Sequence, residues 1–373
     1  MSMKRFQSRH RFEFILNSVK KGQRLFKDDI TFLLGLKDQQ QIQTMFETAR
    51  ALRTRHFGNK IFLYGFVYIS TFCRNNCKFC FFRRSNTFSL RYRKKPAEII
   101  EASCRLADSG VHLIDLTMGE DPKFFFHGRS AFDELTSLVS SVRSITGLPV
   151  MISPGVVPDP VLEDFAAGGA TWYACYQETH QLALFKKLRI GQSYWERLGK
   201  KYFAHRIGML IEEGLLCGIG ETNEDVAESI EVIRSLDADQ IRVMNFVPQK
   251  GTPMEGWVPP EPTRELMIIA IMRLAFPDRL IPASLDVEGL AGLKPRLEAG
   301  ANVVTSLVPP GQGLAGVAQS CLDIEDARRT PDSVQSVLSS CGLQAASLDD
   351  YLDWIANRRR EVLRKSTERK VIC

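Results

Sequence analysis

Ile61-Phe-Leu-Tyr-Gly-Phe-Val-Tyr-Ile69 leads into Cys73-Arg-Asn-Asn-Cys77-Lys-Phe-Cys80, and the reading of this stretch decides the fold. The first half is an apolar run rich in β-branched and aromatic residues, which predicts a buried strand. The second half carries three thiols in the pattern C-x3-C-x2-C directly behind that strand. Thiolates are soft ligands that suit zinc or iron–sulfur clusters. Structural zinc sites close with four ligands, and no fourth Cys or His follows closely behind these three. A four-iron, four-sulfide cluster held by three cysteines leaves one iron open for chemistry. The alternatives at this point are a zinc site completed by a distant residue, and three buried thiols with no ligand.

From Lys60 onwards, short apolar strands alternate with amphipathic helices, the pattern of βα units. Strands are predicted at 61–69, 111–118, 149–154, 171–177, 209–217, 240–247, 280–285 and 302–308, with helices between them, as at 96–107, 130–144, 223–235 and 263–276. This order predicts an α/β fold, a closed (β/α)8 barrel of the TIM type rather than an open doubly wound sheet. Residues 1–58 read as an N-terminal helical extension: Ile42, Met45, Phe46, Ala49 and Leu52 recur at helical spacing, and Gly58-Asn59 supplies the stop. Residues 59–320 form the barrel. Residues 321–373, polar at first and amphipathic over 346–365, form a C-terminal helical cap.

A barrel gathers reactive residues at the C-terminal ends of its strands. The second strand ends in Asp115-Leu-Thr-Met-Gly-Glu120, the third in Ser153-Pro-Gly155 and the fourth in Tyr176-Gln-Glu178. The fifth ends in Gly218-Ile-Gly-Glu221, the sixth in Arg242-Val-Met-Asn245, the seventh in Ser284-Leu-Asp286 and the eighth in Thr305-Ser306. One polar strand residue is usually a satisfied core hydrogen bond; polar groups at every one of these ends predict a site.

Composition bounds the function. Hydrophobic residues make up 44% and charged residues 25%, ordinary for a globular protein. No apolar run approaches the roughly 18 residues of a membrane span, and the basic start lacks the apolar stretch of a signal peptide. Nine cysteines, an odd number, fit a reducing cytoplasm better than a disulfide framework. The net charge of +6 gathers in Arg53-Thr-Arg55, Arg91-Tyr-Arg-Lys-Lys95 and Arg358-Arg-Arg360. Such runs form nucleic-acid patches or, more commonly, solvated faces; nucleic acid is not the expected partner. The run at Arg91 could also attract an anionic electron donor.

The cysteine spacing, with Phe79 before the last thiol, resembles the signature of the radical S-adenosylmethionine (SAM) superfamily. That resemblance implies a 4Fe-4S cluster on Cys73, Cys77 and Cys80, SAM bound to the open iron, and Phe79 against the adenine. Met118-Gly119-Glu120 is similar to the motif that binds the SAM amino group, and Gly214-x3-Gly218-x-Gly220-Glu221 to the glycine motif of the fifth strand. Ser153, Glu178, Arg197 and Gly218 are the further SAM-binding candidates. Asn245-Phe-Val-Pro-Gln-Lys-Gly-Thr-Pro253 resembles the branch that contains biotin synthase and a hydrogenase maturase. Biotin synthase holds a second cluster with cysteines and an arginine, where this chain has Glu212 and Pro282. Sulfur insertion is therefore not expected, and Cys104, Cys175 and Cys217 read as small buried residues.

Met151-Ile-Ser-Pro-Gly-Val156, Leu188-Arg-Ile-Gly-Gln-Ser193 and Ile281-Pro-Ala-Ser-Leu-Asp-Val-Glu-Gly289 narrow the resemblance to the methylornithine synthase family of pyrrolysine biosynthesis, from about 20 to 320. Phe81-Phe82 departs from the family's tyrosines. The family implies conversion of L-lysine to (3R)-3-methyl-D-ornithine: hydrogen abstraction, Cα–Cβ cleavage into a glycyl radical and an aminobutene, rejoining, and hydrogen return. A lysine pocket needs a cation and at least one acid, which suits Arg242 on the carboxylate through a bidentate pair and Asp115, Ser284 and Asp286 on amino groups, and these four match positions that contact the amino acid in the family. A reduced flavodoxin- or ferredoxin-type protein is the implied electron donor. Two other readings stay open: a maturase of the same branch acting on a thiol-containing small molecule, and a non-catalytic metal protein that binds nucleic acid.

Overall fold

The computed structural model describes residues 3–310 and 328–371, with side chains for 7–310 and 328–365. Three helices come first: α1 (Met3–Lys20), α2 (Lys27–Leu34) and α3 (Gln39–Phe57). α3 begins where the Asp38 side chain accepts from the N–H groups of Gln40 and Gln41, and it stops at Gly58, whose φ of 62° suits glycine. The apolar face predicted for it is buried.

The barrel follows as β1 (Lys60–Ser70), α4 (Pro96–Asp108), β2 (Leu113–Met118), α5 (Pro122–Phe125), α6 (Asp133–Thr146), β3 (Val150–Ser153), α7 (Asp159–Ala167) and β4 (Ala170–Ala174). It continues as α8 (Leu182–Leu188), α9 (Tyr194–Arg206), β5 (Leu210–Cys217), α10 (Asn223–Leu236), β6 (Gln240–Asn245), α11 (Pro262–Ala275), β7 (Pro282–Ser284), α12 (Leu293–Glu298) and β8 (Val303–Leu307). The ladders are parallel in the order β6-β5-β4-β3-β2-β1-β8-β7. The ring closes between β6 and β7 on the bridge Gln240–Leu280, with Ile241 N–H donating to Leu280 O at 2.9 Å and Leu280 N–H to Asp239 O at 3.1 Å.

Strand existence follows the apolar runs; strand ends follow the ladder. The strand expected over 171–177 stops at Ala174, because the chain leaves the ladder on its way to Glu178, which has φ 67°. The strand expected over 280–285 shortens to Pro282–Ser284, since Leu280 makes only the closing bridge to Gln240. The helix expected from 130 starts at Asp133 after a 3-10 turn over Arg129–Phe132.

The tail adds α13 (Pro331–Ser340), the short β9 (Gln344–Ala345) and α14 (Leu348–Val371). The boundary expected at 320/321 lies outside the described residues. Val334 and Leu338 of α13 join the same buried core as Ile42, Met45 and Leu52 of α3 and the barrel helices. β9 pairs with Lys60 and Ile61 at the start of β1. α14 then covers the N-terminal end of the barrel: Tyr351 donates to the Tyr64 hydroxyl at 2.7 Å, and Trp354 stacks on Trp172 with ring centroids 6.0 Å apart.

One arginine of each basic run is spent inside the fold, while Arg55, Arg93, Lys95, Arg359 and Arg360 stay exposed. Arg53 is buried and donates to Leu297 O at 2.5 Å and Ala301 O at 3.1 Å. Arg358 is buried against Asp237 and Asp239. Arg91 donates to the carbonyls of Thr71, Phe82 and Arg83. Among the described residues, no helix is long and apolar enough to cross a membrane.

Candidate active site

The C-terminal strand ends surround one cavity, and Cys73, Cys77 and Cys80 all line it. The loop that carries them is held from several sides. Arg74 N–H donates to Glu120 O and Lys78 N–H to Leu188 O, both at 2.8 Å, and the carbonyls that Arg91 binds belong to the same loop. Gly119 makes the close approach possible: a Cβ there would stand 2.5 Å from Phe72 O and 2.9 Å from the Cys73 Cβ.

Burial, followed by the neighbouring charges of Cys77 and Glu120, pushes the Cys73 thiol up to about 11. Burial and the other two sulfurs push Cys80 further up. Such sulfurs become thiolates together when a bound cation offsets their charge. Gln192 Nε2 lies 3.0 Å and Arg189 Nη1 3.6 Å from Cys77 Sγ, donors of the kind that tune iron–sulfur centres. Among the described residues, no three His, Cys, Asp or Glu side chains gather closely enough for one metal ion. Cluster thiolates each bind a separate iron, so these residues fit a cluster better than a single zinc ion.

Beside the cysteines stand two buried ion pairs. Glu120 accepts from Arg74 Nε at 2.8 Å, Val156 N–H at 3.0 Å and Arg197 Nη2 at 3.3 Å. Burial alone would raise its pKa, but Arg197, the Val156 amide and Arg74 together hold it below the usual range. Glu178 accepts from Arg189 Nη2 at 2.8 Å, yet burial outweighs that pair and raises its pKa. The Arg189 guanidinium lies 5.4 Å from the centre of the Phe79 ring. Phe79, Leu216 and Phe246 give the same cavity an apolar wall. A zwitterion with an aromatic base fits charged pairs facing such a wall.

Deeper in the barrel lies a second set of charges. Asp115 and Asp286 line the cavity together with Arg242. Ser153 donates to Asp115 at 3.2 Å. Burial, then the charge of Glu212, pushes the Asp115 carboxyl up to about 7. Asp286 accepts from Ser284 at 3.0 Å, from Ser306 at 2.8 Å and from Arg329 Nη1 at 3.5 Å. Arg242 donates through Nε to Glu212 at 2.7 Å and through Nη1 to Thr305 at 3.0 Å.

Of the residues read from sequence, Phe79, Asp115, Glu120, Ser153, Glu178, Arg197, Arg242, Asp286 and the three cysteines line one cavity. Ser284 stands behind Asp286 and outside the cavity wall, so it supports the carboxylate rather than facing a ligand. Gly218 is also outside that wall; it packs against Pro260, whose Cδ would be 2.5 Å from an added Cβ. Arg242 offers no side-on fork, because Glu212 occupies its Nε. Cys217 is buried as expected, whereas Cys104 is half-buried. Cys175 lines the cavity and accepts from Arg197 Nη1 at 2.7 Å, so it is more than a core filler. Sequence reasoning assigned no role to Arg189, Gln192 or Glu212. The signal for the first two was the run Leu188–Ser193, and for the third a carboxylate at a cysteine position.

Fold and site together define a radical SAM enzyme: the chain matches the Radical SAM superfamily over residues 67–233. It is 42% identical over 330 residues to the 3-methylornithine synthase of Methanosarcina acetivorans, covering 88% of this chain and 93% of that one. The 3-methylornithine synthase of Methanosarcina barkeri is 40% identical over 340 residues, 91% of this chain and 96% of the relative. A crystal structure of methylornithine synthase superposes with a TM-score of 0.86 at 40% identity, covering 91% of this chain and 99% of that one. The chain belongs to the 3-methylornithine synthase family. Membership implies a 4Fe-4S cluster, SAM, a substrate and an electron donor.

Proposed function

We propose that this protein is a radical SAM mutase that rearranges L-lysine to (3R)-3-methyl-D-ornithine, the first step of pyrrolysine biosynthesis. One observation carries the reading: Asp115 and Asp286 share a buried chamber with Arg242. Lysine presents two ammonium groups and one carboxylate, the complement of that set.

Cys73, Cys77 and Cys80 would hold the cluster. Phe79, Glu120, Ser153, Glu178 and Arg197 would surround SAM, which when bound and reduced supplies a 5'-deoxyadenosyl radical. Glu120, kept ionised by its partners, accepts an ammonium, and Arg197 and Arg189 offset the anionic ends. In the inner chamber, the terminal edge of Arg242 takes the substrate carboxylate. Asp115, which ionises near neutral pH, and Asp286 take the amino groups, while Ser153 and Ser284 hold those carboxylates in place. The closed floor of the barrel keeps water and reactive fragments apart. The catalytic unit is residues 59–320, with helical segments on either side completing its core. The electron comes from a reduced flavodoxin- or ferredoxin-type protein, and the enzyme works in the cytoplasm.

The test is anaerobic incubation of cluster-loaded protein with SAM, reductant and labelled lysine, read by mass spectrometry and NMR. The expected result is 5'-deoxyadenosine together with a rearranged isomer of lysine. Turnover of a thiol-bearing amino acid, with no rearranged product from lysine, would overturn the reading in favour of a maturase.

A further inference from the structure

We propose that Glu212 is a positioning residue that sets substrate selectivity: it fixes the terminal edge of Arg242 towards the chamber and keeps a negative charge behind it, so that a cationic amino acid is preferred over an analogue that lacks the side-chain ammonium. This rests on the reading of the chamber as an amino-acid site. Glu212 is fully buried and does not line the cavity. One oxygen accepts from Arg242 Nε and the other from the Tyr176 hydroxyl, each at 2.7 Å. Tyr176 in turn lies under the guanidinium, 5.7 Å from ring centre to Cζ. Thr305 occupies Nη1. Among the described residues, Nη2 has no hydrogen-bond partner, so a carboxylate approaches Arg242 at its Nη1/Nη2 end.

A bare guanidinium in a buried chamber would attract the substrate carboxylate and repel its ammonium groups alike. With Glu212 behind it, the pair contributes hydrogen bonds of fixed direction and little net charge, so Asp115 and Asp286 dominate the field. Glu212 acts on Asp115 as well. The groups facing Asp115 are Ser153 on β3, Tyr176 after β4, Glu212 on β5, Arg242 on β6 and Asp286 after β7. Burial first and Glu212 second raise its pKa, Arg242 and Ser153 lower it, and Asp286 raises it. A carboxyl raised in this way takes up a proton as the pH falls through about 7, so ammonium binding is strong above that pH and weakens below it. Removing the charge of Glu212 moves that limb to lower pH.

The experiment is calorimetric binding of lysine and of norleucine, which lacks the side-chain ammonium, to the cluster- and SAM-loaded enzyme across pH. Wild type is expected to prefer lysine. Glu212→Gln should narrow the lysine-to-norleucine ratio by about tenfold and shift the acid limb of lysine binding downward. An unchanged ratio and limb in a folded Glu212→Gln protein would overturn the proposal. If that variant does not fold, Glu212→Asp and Tyr176→Phe decide, because both keep the charge while loosening the clamp. Both ligands should then bind several-fold more weakly at an unchanged ratio; a lost ratio, or undiminished binding in both variants, refutes the role. Wild type that binds SAM but not lysine would refute the functional reading itself, and the inference with it.

Discussion

The two ends of the barrel are built from the same ring of strands and held by opposite means. At the N-terminal end, Tyr64, Met151, Trp172 and Leu210 meet Tyr351 and Ile355 of α14 in one buried apolar cluster, with two tyrosine hydroxyls satisfying each other. At the C-terminal end, Glu120, Glu178, Asp115 and Arg242 are held by charge and hydrogen bonds around a cavity. One end is specified by volume, because dense packing leaves no space to fill. The other is specified by charge balance, because an unpaired buried ion is costly. Stability and chemistry are thus assigned to different ends of one domain.

That division can be broken at either end. Cys80→Ala should abolish SAM cleavage entirely and reduce bound iron, while urea unfolding of the iron-free protein stays within about 0.5 kcal/mol of wild type. A large fall in iron-free stability would mean that the thiol end is also structural. Tyr351→Ala should do the reverse, costing about 3–5 kcal/mol of folding stability. The folded fraction at low temperature should still cleave SAM at the wild-type rate; a parallel loss of rate would show that the two ends are coupled. Glu120→Gln is the finest probe, since it keeps the shape and removes one charge. SAM affinity should fall about tenfold, the size expected for one charge-assisted hydrogen bond, with iron content unchanged. Wild-type SAM affinity in that variant would remove Glu120 from the ligand set.

Much of this was open to inspection in the chain. The alternation of apolar runs with amphipathic helices is a local property, and it pointed to the barrel. The polar strand ends are local too, and they pointed to the end of the barrel that holds the cavity. What stayed hidden depends on pairs far apart in sequence. Arg53 and Arg358 read as surface charge, but the carbonyls of Leu297 and Ala301 and the carboxylate of Asp239 consume them. Arg189 and Glu212 carried no pattern of their own; their importance lies in facing Glu178 and Arg242. Ser284 and Gly218 lie outside the cavity wall, because position at a strand end does not decide what faces the cavity. The cap was visible as a helix, but not the end it covers, since that is settled by Trp354 meeting Trp172.

The ring of strands is closed everywhere by a ladder except between β6 and β7, where one bridge does the work. Arg242 stands on β6, and Asp286 follows β7 directly. The group that would grip the substrate carboxylate and one that would grip an amino group therefore sit on the two jaws of a calliper, and the bridge is its set-screw. Any widening of that seam would move Arg242 and Asp286 apart, so the spacing between them is set where the hoop is held by a bridge rather than a ladder.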